Sequence, residues 1–165
     1  MIILGIDPGY AIVGWGVIET VGVKQRVIAY GSIQTQAGVP IVERLERIFL
    51  GMNELIEKYK PDEMAVEELF FNTNTTTAIV VAEARGIILL AAKLKGVKIA
   101  EYTPLQVKQA VVGYGRAEKK QVITMVTQLL NLPAPPKPDD TADALAIAVC
   151  HAHSGGSRLA KYYNN

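Results

Sequence analysis

The first 19 residues constrain the fold of this chain more than any other stretch. An apolar run over Ile2–Ile6 predicts a strand buried on both faces. That strand stops at Asp7, because Pro8 cannot donate to a sheet ladder and Gly9 tolerates the backbone angles of a turn. The chain then returns as a second strand over residues 11–19. The opening therefore predicts a central hairpin with one carboxylate at the rim of a hydrophobic core.

Asp7 has two interpretations at this point. An Asp-Pro-Gly sequence is typical of a simple turn. An unpaired carboxylate beside a core is costly, however, so the second interpretation is an aspartate that faces a metal ion or a phosphate.

Composition and length limit the class of protein. A chain of 165 residues, half of them hydrophobic, predicts one folded domain, and no apolar run reaches the length of about 20 residues that a membrane span needs. A single cysteine, Cys150, fits a reducing compartment, and the short apolar start does not resemble a signal peptide. We therefore expect a cytoplasmic protein of a bacterial type that does not contact membranes.

Periodicity predicts an α/β chain. Apolar residues at intervals of three and four predict helices, and alternating or continuous short apolar runs predict strands. The expected strands after the hairpin are residues 26–35, 62–71 and 98–102. The expected helices are residues 40–60, 77–95, 103–112, 117–130 and one that starts near 139.

The helix predicted over residues 77–95 is apolar on almost every side. Such a helix must be buried on more than one face, and small residues such as Ala78, Ala82 and Gly86 allow close approach of another helix. We expect a two-fold homodimer through this helix. The alternative is a helix buried wholly within one subunit.

Further acids follow at element ends. Glu67 and Glu68 come at the end of a predicted strand, where adjacent side chains point to opposite faces, and parity does not say which one shares a pocket with Asp7. Asp140 and Asp143 project from one face of the first turn of a helix. Polar strand ends and helix capping explain these residues without any function.

A gathering of Asp7, a strand-end Glu, Asp140 and Asp143 would supply only oxygen ligands. That set favours Mg²⁺ or Mn²⁺ over zinc, and two such ions would offset the mutual repulsion of the acids. Two ions suit hydrolysis of a phosphodiester by direct attack of water. Cys150, His151 and His153 lack the second cluster that a zinc site would require.

Aromatic and basic residues offer candidate contacts to nucleic acid. Phe70 and Phe71 are adjacent beside a polar segment, so one of them is a candidate for stacking on a base, with ordinary core packing as the alternative. Four basic residues, Lys108, Arg116, Lys119 and Lys120, cluster near two helices and either grip phosphate or form a solvated surface. The net charge of +1 is by itself no signature of nucleic-acid binding.

Four motifs together resemble the RuvC-type Holliday-junction resolvases. They are GIDPG at 5–9, AVEELFF at 65–71, QVKQAVVGYGRAEKKQV at 106–122 and DDTADALAIA at 139–148. The resemblance implies a ribonuclease-H-like fold, with a five-stranded mixed sheet and helices on both faces. It also implies a homodimeric, Mg²⁺-dependent endodeoxyribonuclease that nicks two opposing strands of a four-way junction and leaves 5′-phosphates.

The resemblance also assigns roles to individual residues. It implies that Asp7, Glu67, Asp140 and Asp143 are catalytic acids that bind two Mg²⁺ ions, and it selects Glu67 over Glu68. Phe70 falls on an aromatic that stacks on bases, while Lys108 and Lys119 fall on lysines that contact the DNA backbone. Arg116 and Lys120 are expected to join them, the RuvA–RuvB branch-migration complex is the expected partner, and the nuclease domain is expected to span 1–153 with a flexible tail at 154–165.

Three other functions fit parts of the sequence. An actin-like sugar kinase or ATPase also begins with a GIDxG hairpin, but it needs a second phosphate-binding hairpin and an adenosine site. An RNA-processing nuclease of the same fold would share the acids, and a panel of DNA and RNA substrates would distinguish it. A non-catalytic DNA-binding module would not need all four acids.

Overall fold

A computed structural model describes residues 1–69 and 75–155 of the chain, and these residues form one five-stranded sheet with helices packed on it. The strands lie in the order β3-β2-β1-β4-β5. Their bounds are β1 Ile2–Asp7, β2 Ile12–Val21, β3 Lys24–Gln34, β4 Glu63–Glu67 and β5 Lys98–Tyr102. The helices are α1 Ile41–Tyr59, α2 Thr75–Leu94, α3 Pro104–Val112, α4 Lys119–Leu129 and α5 Asp139–Gly155.

β1 lies at the centre of the sheet and is buried on both faces, as the sequence predicts. It pairs antiparallel with β2 and parallel with β4, so the sheet is mixed. Ile3 and Leu4 point to opposite faces, and both side chains have no exposed surface. Burial on two faces explains why this strand carries an unbroken apolar run.

The helices divide between the two faces of the sheet. α1 and α2 cover one face, where Met52 and Ile88 pack with Leu4 and Met64 in one buried cluster. α3, α4 and α5 cover the other face, where Val107, Val126 and Leu145 pack with Ile3 in a second cluster. The expected α/β architecture with helices on both faces is confirmed.

Two element ends differ from the sequence expectations. β4 ends at Glu67 rather than at residue 71, because its ladder with β5 stops there and β5 runs into Pro104 at the start of α3. α5 continues to Gly155, so Ser154 lies in the helix, where its hydroxyl donates to the Cys150 carbonyl at 2.9 Å. The rest of the expected tail, residues 156–165, lies outside the described residues.

α2 buries one side within the subunit and exposes apolar side chains on another. Ala84, Ile88 and Ala91 have no exposed surface, whereas Ile79 and Leu94 are 68% and 65% exposed. This arrangement leaves an apolar surface for a second subunit, and the homodimer stays a prediction. Within the described ranges, every helix is too short or too polar to cross a membrane.

Candidate active site

Two of the candidate acids end neighbouring parallel strands. Asp7 is the last residue of β1 and Glu67 is the last residue of β4. The register pairs Ile6 with Val66, so the next residues of the two strands, Asp7 and Glu67, lie side by side at the same edge of the sheet. Parallel strands place their carboxyl ends side by side, which explains why acids 60 residues apart in sequence share one site.

Helix α5 brings the other two acids onto this edge because two glycines let it approach the sheet closely. A Cβ atom at Gly14 would clash with the carbonyl oxygen of Asp140, and one at Gly5 would clash with the carbonyl oxygen of Ala144. The register pairs Gly14 with Asp7 across β1 and β2. The lack of a side chain on Gly14 thus leaves room for the first turn of α5 beside Asp7.

A buried threonine fixes the start of α5. The Thr141 hydroxyl donates to the carbonyl oxygen of Gly31 on β3 at 3.1 Å, and Thr141 has no exposed surface. Thr141 lies between Asp140 and Asp143, so its hydrogen bond anchors the turn that carries both acids.

Burial and neighbouring negative charge raise the affinity of Asp7, Glu67 and Asp143 for protons. Burial is the largest cause that raises the pKa of Asp7 well above its ordinary value, and the charges of Asp143, Glu67 and Asp140 raise it further. Burial and the charge of Asp143 raise the pKa of Glu67 to about 7, although Lys108 and Lys119 oppose the rise. All four predicted acids therefore belong to one electrostatic cluster.

Lys119 lies within this cluster. Its Nζ is 2.8 Å from Oδ2 of Asp143. Burial raises the pKa of Asp143, although the hydrogen bond and the charge of Lys119 oppose this rise. Burial lowers the pKa of Lys119, but its hydrogen bond with Asp143 and the charges of Asp143, Asp139 and Asp140 outweigh burial, so that pKa is raised.

A small open cleft of about 210 Å³ adjoins the cluster. Glu67 and Asp143 line it together with Lys108 and Lys119, and the rest of its lining is apolar. The apolar lining residues are Pro104, Val107, Val122 and Ala146. The cleft thus presents acids, cations and an apolar surface side by side, which suits a nucleotide with its phosphate and sugar.

The donor set fits a hard divalent cation. Every member is a carboxylate, and oxygen ligands of this kind suit such an ion. In the part of the chain that the structure describes, no three Asp, Glu, His or Cys side chains are already gathered closely enough to hold one ion. One candidate ligand, Asp143, is paired with Nζ of Lys119.

The remaining predicted residues differ in where they lie. Lys108 and Lys119 line the cleft, whereas Arg116 and Lys120 are exposed and are not among the residues that line it. Glu67, rather than Glu68, lines the cleft, as the family resemblance implied. Phe70 lies outside the described residues, so its stacking role stays a prediction.

Sequence reasoning missed the residues that hold the acids in place. Glycine within a strand is a known sign of close backbone approach, and Gly5 and Gly14 carried that sign. Arg85 of α2 was also missed: its Nε donates to the carbonyl oxygen of Glu67 at 3.2 Å. A lone arginine in an apolar helix was the available signal, because a charge in such a position needs a partner.

Comparisons with known proteins agree on one family. The family model described as crossover junction endodeoxyribonuclease RuvC matches residues 3–151. Two bacterial proteins of the same description, from Alkaliphilus metalliredigens and Clostridioides difficile, are similar to this chain. The first is 63% identical over 94% of both chains, and the second is 55% identical over 100% of this chain and 96% of its own.

Solved structures are similar as well. Thermus thermophilus RuvC in complex with a Holliday junction substrate is 40% identical, covers 94% of both chains and has a TM-score of 0.89. The yeast mitochondrial Holliday junction resolvase, at 14% identity, a TM-score of 0.64 and coverage of 90% of this chain and 77% of its own, shows the shared ribonuclease-H-like fold alone. The family match, the identities and the shared fold lead to one conclusion: this chain belongs to the RuvC family of crossover junction endodeoxyribonucleases.

Proposed function

We propose that Asp7, Glu67, Asp140 and Asp143 form the catalytic centre with which this endodeoxyribonuclease resolves four-way DNA junctions. The observation that carries the proposal is that Asp7 and Glu67 end neighbouring parallel strands and that the first turn of α5, which carries Asp140 and Asp143, packs on Gly14 beside Asp7. Such a cluster costs stability in the isolated chain. Bound cations would offset this loss of stability. Metal-assisted phosphodiester hydrolysis uses a site of this kind.

The four acids would hold the metal, and we propose two Mg²⁺ ions, with Mn²⁺ as a substitute. Such ions activate a water molecule and stabilise the charge on the leaving 3′-oxygen. The chain's own contribution is to place Asp7 and Glu67 rigidly at strand ends and to orient Asp140 and Asp143 from the anchored first turn of α5. The hydrogen bond from Lys119 to Asp143 opposes the rise that burial causes in the pKa of that carboxyl group.

DNA would lie across the cleft. Lys108 and Lys119, which line the cleft, would contact phosphates of the DNA backbone, and the exposed Arg116 and Lys120 would extend this basic surface. The apolar wall formed by Val107 and Val122 would pack against a sugar and exclude water from one side. Phe70 is proposed to stack on a base near the junction centre.

Two-fold symmetry would match the enzyme to its substrate. A junction needs two symmetric cuts, and a dimer through the exposed apolar residues of α2, which include Ile79 and Leu94, would present one acid cluster to each opposing strand. Sedimentation that shows a monomer at micromolar concentration would contradict this interface. We also propose, from family membership alone, cooperation with the RuvA–RuvB motor and a cytoplasmic location in a bacterium.

A cleavage assay on a mobile four-way junction, with and without Mg²⁺, tests the function. The expected result is paired nicks with 5′-phosphate ends, in Mg²⁺ only. Linear duplex and structured RNA of equal length serve as competing substrates, and cleavage of the RNA in preference to the junction would contradict the proposal. ATP hydrolysis in the absence of DNA would favour a kinase-like activity instead.

A further inference from the structure

Arg85 connects helix α2 to the backbone of a catalytic acid. Its side chain is 16% exposed, and its Nε donates to the carbonyl oxygen of Glu67 at 3.2 Å. Its Nη2 pairs with the carboxylate of Glu101 on β5. The planar guanidinium therefore bridges the end of β4 and the neighbouring strand, and it does so from the face opposite α5.

The carbonyl of Glu67 needs such a donor because the neighbouring strand that it faces stops supplying one. The N–H of Glu68 donates to the Tyr102 carbonyl on β5 at 2.8 Å, and successive residues of a strand direct their hydrogen-bonding groups to opposite neighbours, so the Glu67 carbonyl faces β1. β1 continues into Pro8, which has no N–H group. A carbonyl left without a donor at a partly buried strand end is costly, and Arg85 removes that cost.

We propose that Arg85 is a positioning residue that fixes the end of β4, and through it the Glu67 carboxylate, in the geometry that cleavage requires. The inference rests on the proposed role of Glu67 in the catalytic centre. Arg85 acts on the backbone, because its hydrogen bond to Glu67 ends on the carbonyl oxygen. The charge of Arg85 is directed to Glu101, which leaves the Nε–H group to hold the carbonyl.

Lysine cannot replace Arg85 fully. An ammonium is a single point donor, whereas the guanidinium offers Nε and Nη2 in a fixed plane to two acceptors at once. Arg85→Lys keeps the charge and the pairing with Glu101 but loses the second donor. It therefore separates the positioning role from a general need for a cation at this place.

The experiment compares Arg85→Met and Arg85→Lys with wild type and with Lys95→Met. Lys95→Met is a matched control, because Lys95 directly follows α2, pairs with Glu57 on α1 and lies about 15 Å along the helix axis from Arg85. Four quantities are measured on purified full-length protein. They are the melting temperature, the Kd for a four-way junction in Ca²⁺, the single-turnover cleavage rate at saturating junction, and the Mg²⁺ concentration that gives half the maximal rate.

We expect Arg85→Met to lower the saturated cleavage rate about 10- to 100-fold, since misplacing a reacting group by about 1 Å costs that much. The Kd for the junction stays within about twofold, and the half-saturating Mg²⁺ concentration rises. Arg85→Lys recovers part of the rate, and Lys95→Met retains all of it.

Several results would overturn the inference. A wild-type cleavage rate and wild-type Mg²⁺ dependence in either Arg85 variant, or a rate loss that equals the loss of folded protein, would do so. If Arg85→Met does not fold, Arg85→Lys decides by the same criteria. A wild-type protein that fails to cut the junction in Mg²⁺ would instead contradict the proposed function, which keeps the two failures distinct.

Discussion

Two glutamates on β4 face the same side of the sheet, four residues apart, and have opposite surroundings. Glu63, at the start of the strand, belongs to a hydrogen-bonded network: its Oε2 is 2.7 Å from Nε2 of His151. The other ring nitrogen of His151 lies 2.8 Å from the Tyr102 hydroxyl. His151 is 5% exposed, so this network is a buried polar group in which each member has a partner.

Glu67, at the end of the same strand, faces other carboxylates. Burial and the charge of Asp143 raise its pKa to about 7, and Asp7 and Asp143 have raised pKa values as well. The chain thus supplies a hydrogen-bond partner to the glutamate at one end of β4 and places other carboxylates beside the glutamate at the other end. The comparison supports the proposed metal-binding role of the acid cluster, because the same strand shows that the fold can pair a partly buried glutamate from within the chain.

The largest expected effect comes from a substitution in the acid cluster that Glu67 faces. Asp7→Asn should lower junction cleavage in Mg²⁺ by about 10³-fold or more, since several kcal/mol of charge stabilisation are lost. Junction binding should persist, because phosphate contacts come from the basic residues. The measurement is a single-turnover cleavage assay with a parallel binding assay. Cleavage at the wild-type rate would remove Asp7 from the catalytic centre.

A second substitution removes the partner of Glu63 at the other end of β4. His151→Ala leaves Glu63 and Tyr102 without their shared partner and opens space in the core, so the free energy of unfolding should fall by about 2–4 kcal/mol. Urea unfolding measures this loss. The cleavage rate per folded molecule should stay within about threefold of wild type. A 100-fold loss of cleavage in fully folded His151→Ala would show that the two ends of β4 are not independent.

The pH dependence of stability sharpens the contrast between the two glutamates. The folded-state pKa of Glu67, about 7, exceeds its unfolded value of about 4.3, so the folded state binds this proton more tightly. The stability that Glu67 contributes is therefore present below about pH 4.3 and is lost as the pH rises through about 7. In metal-free buffer, Glu67→Gln should gain about 1–3 kcal/mol relative to wild type between pH 5 and pH 7.5.

The control for this measurement is Glu63→Gln, which removes the charged acceptor of His151. It should show no such gain over the same pH range. Added Mg²⁺ should raise the melting temperature of wild type at pH 7.5 more than at pH 5, because protonated acids do not bind the ion. An equal gain in both glutamine variants would mean that the acid cluster does not control the pH dependence.

The smallest expected effect concerns the hydrogen bond between Tyr102 and His151. Tyr102→Phe removes one hydrogen bond to His151 and keeps the ring, so the free energy of unfolding should fall by about 1 kcal/mol. Burial raises the pKa of the Tyr102 hydroxyl, so it remains a donor throughout the neutral range. Thermal unfolding and the cleavage assay together check that stability changes and catalysis does not. A loss of unfolding free energy as large as that of His151→Ala would show that the network depends on the Tyr102 hydrogen bond for its stability.

The sequence determined the parts of this protein that depend on local pattern. The buried run before Asp7 predicted β1, and the periodicity of residues 40–60 predicted α1. These two predictions depend on near neighbours in the chain, where spacing and residue type act directly. The four acids and the fold were implied by the resemblance of the motifs to a known family.

The tertiary structure decided how those acids are held. That α5 can reach the sheet depends on two glycines on different strands, and the support for Glu67 depends on Arg85 of a helix packed on the opposite face. The raised pKa of Asp7 likewise arises from residues 60 to 136 positions away in the chain. Close approach, shared burial and summed charge are properties of distances in space, and a single sequence does not contain those distances.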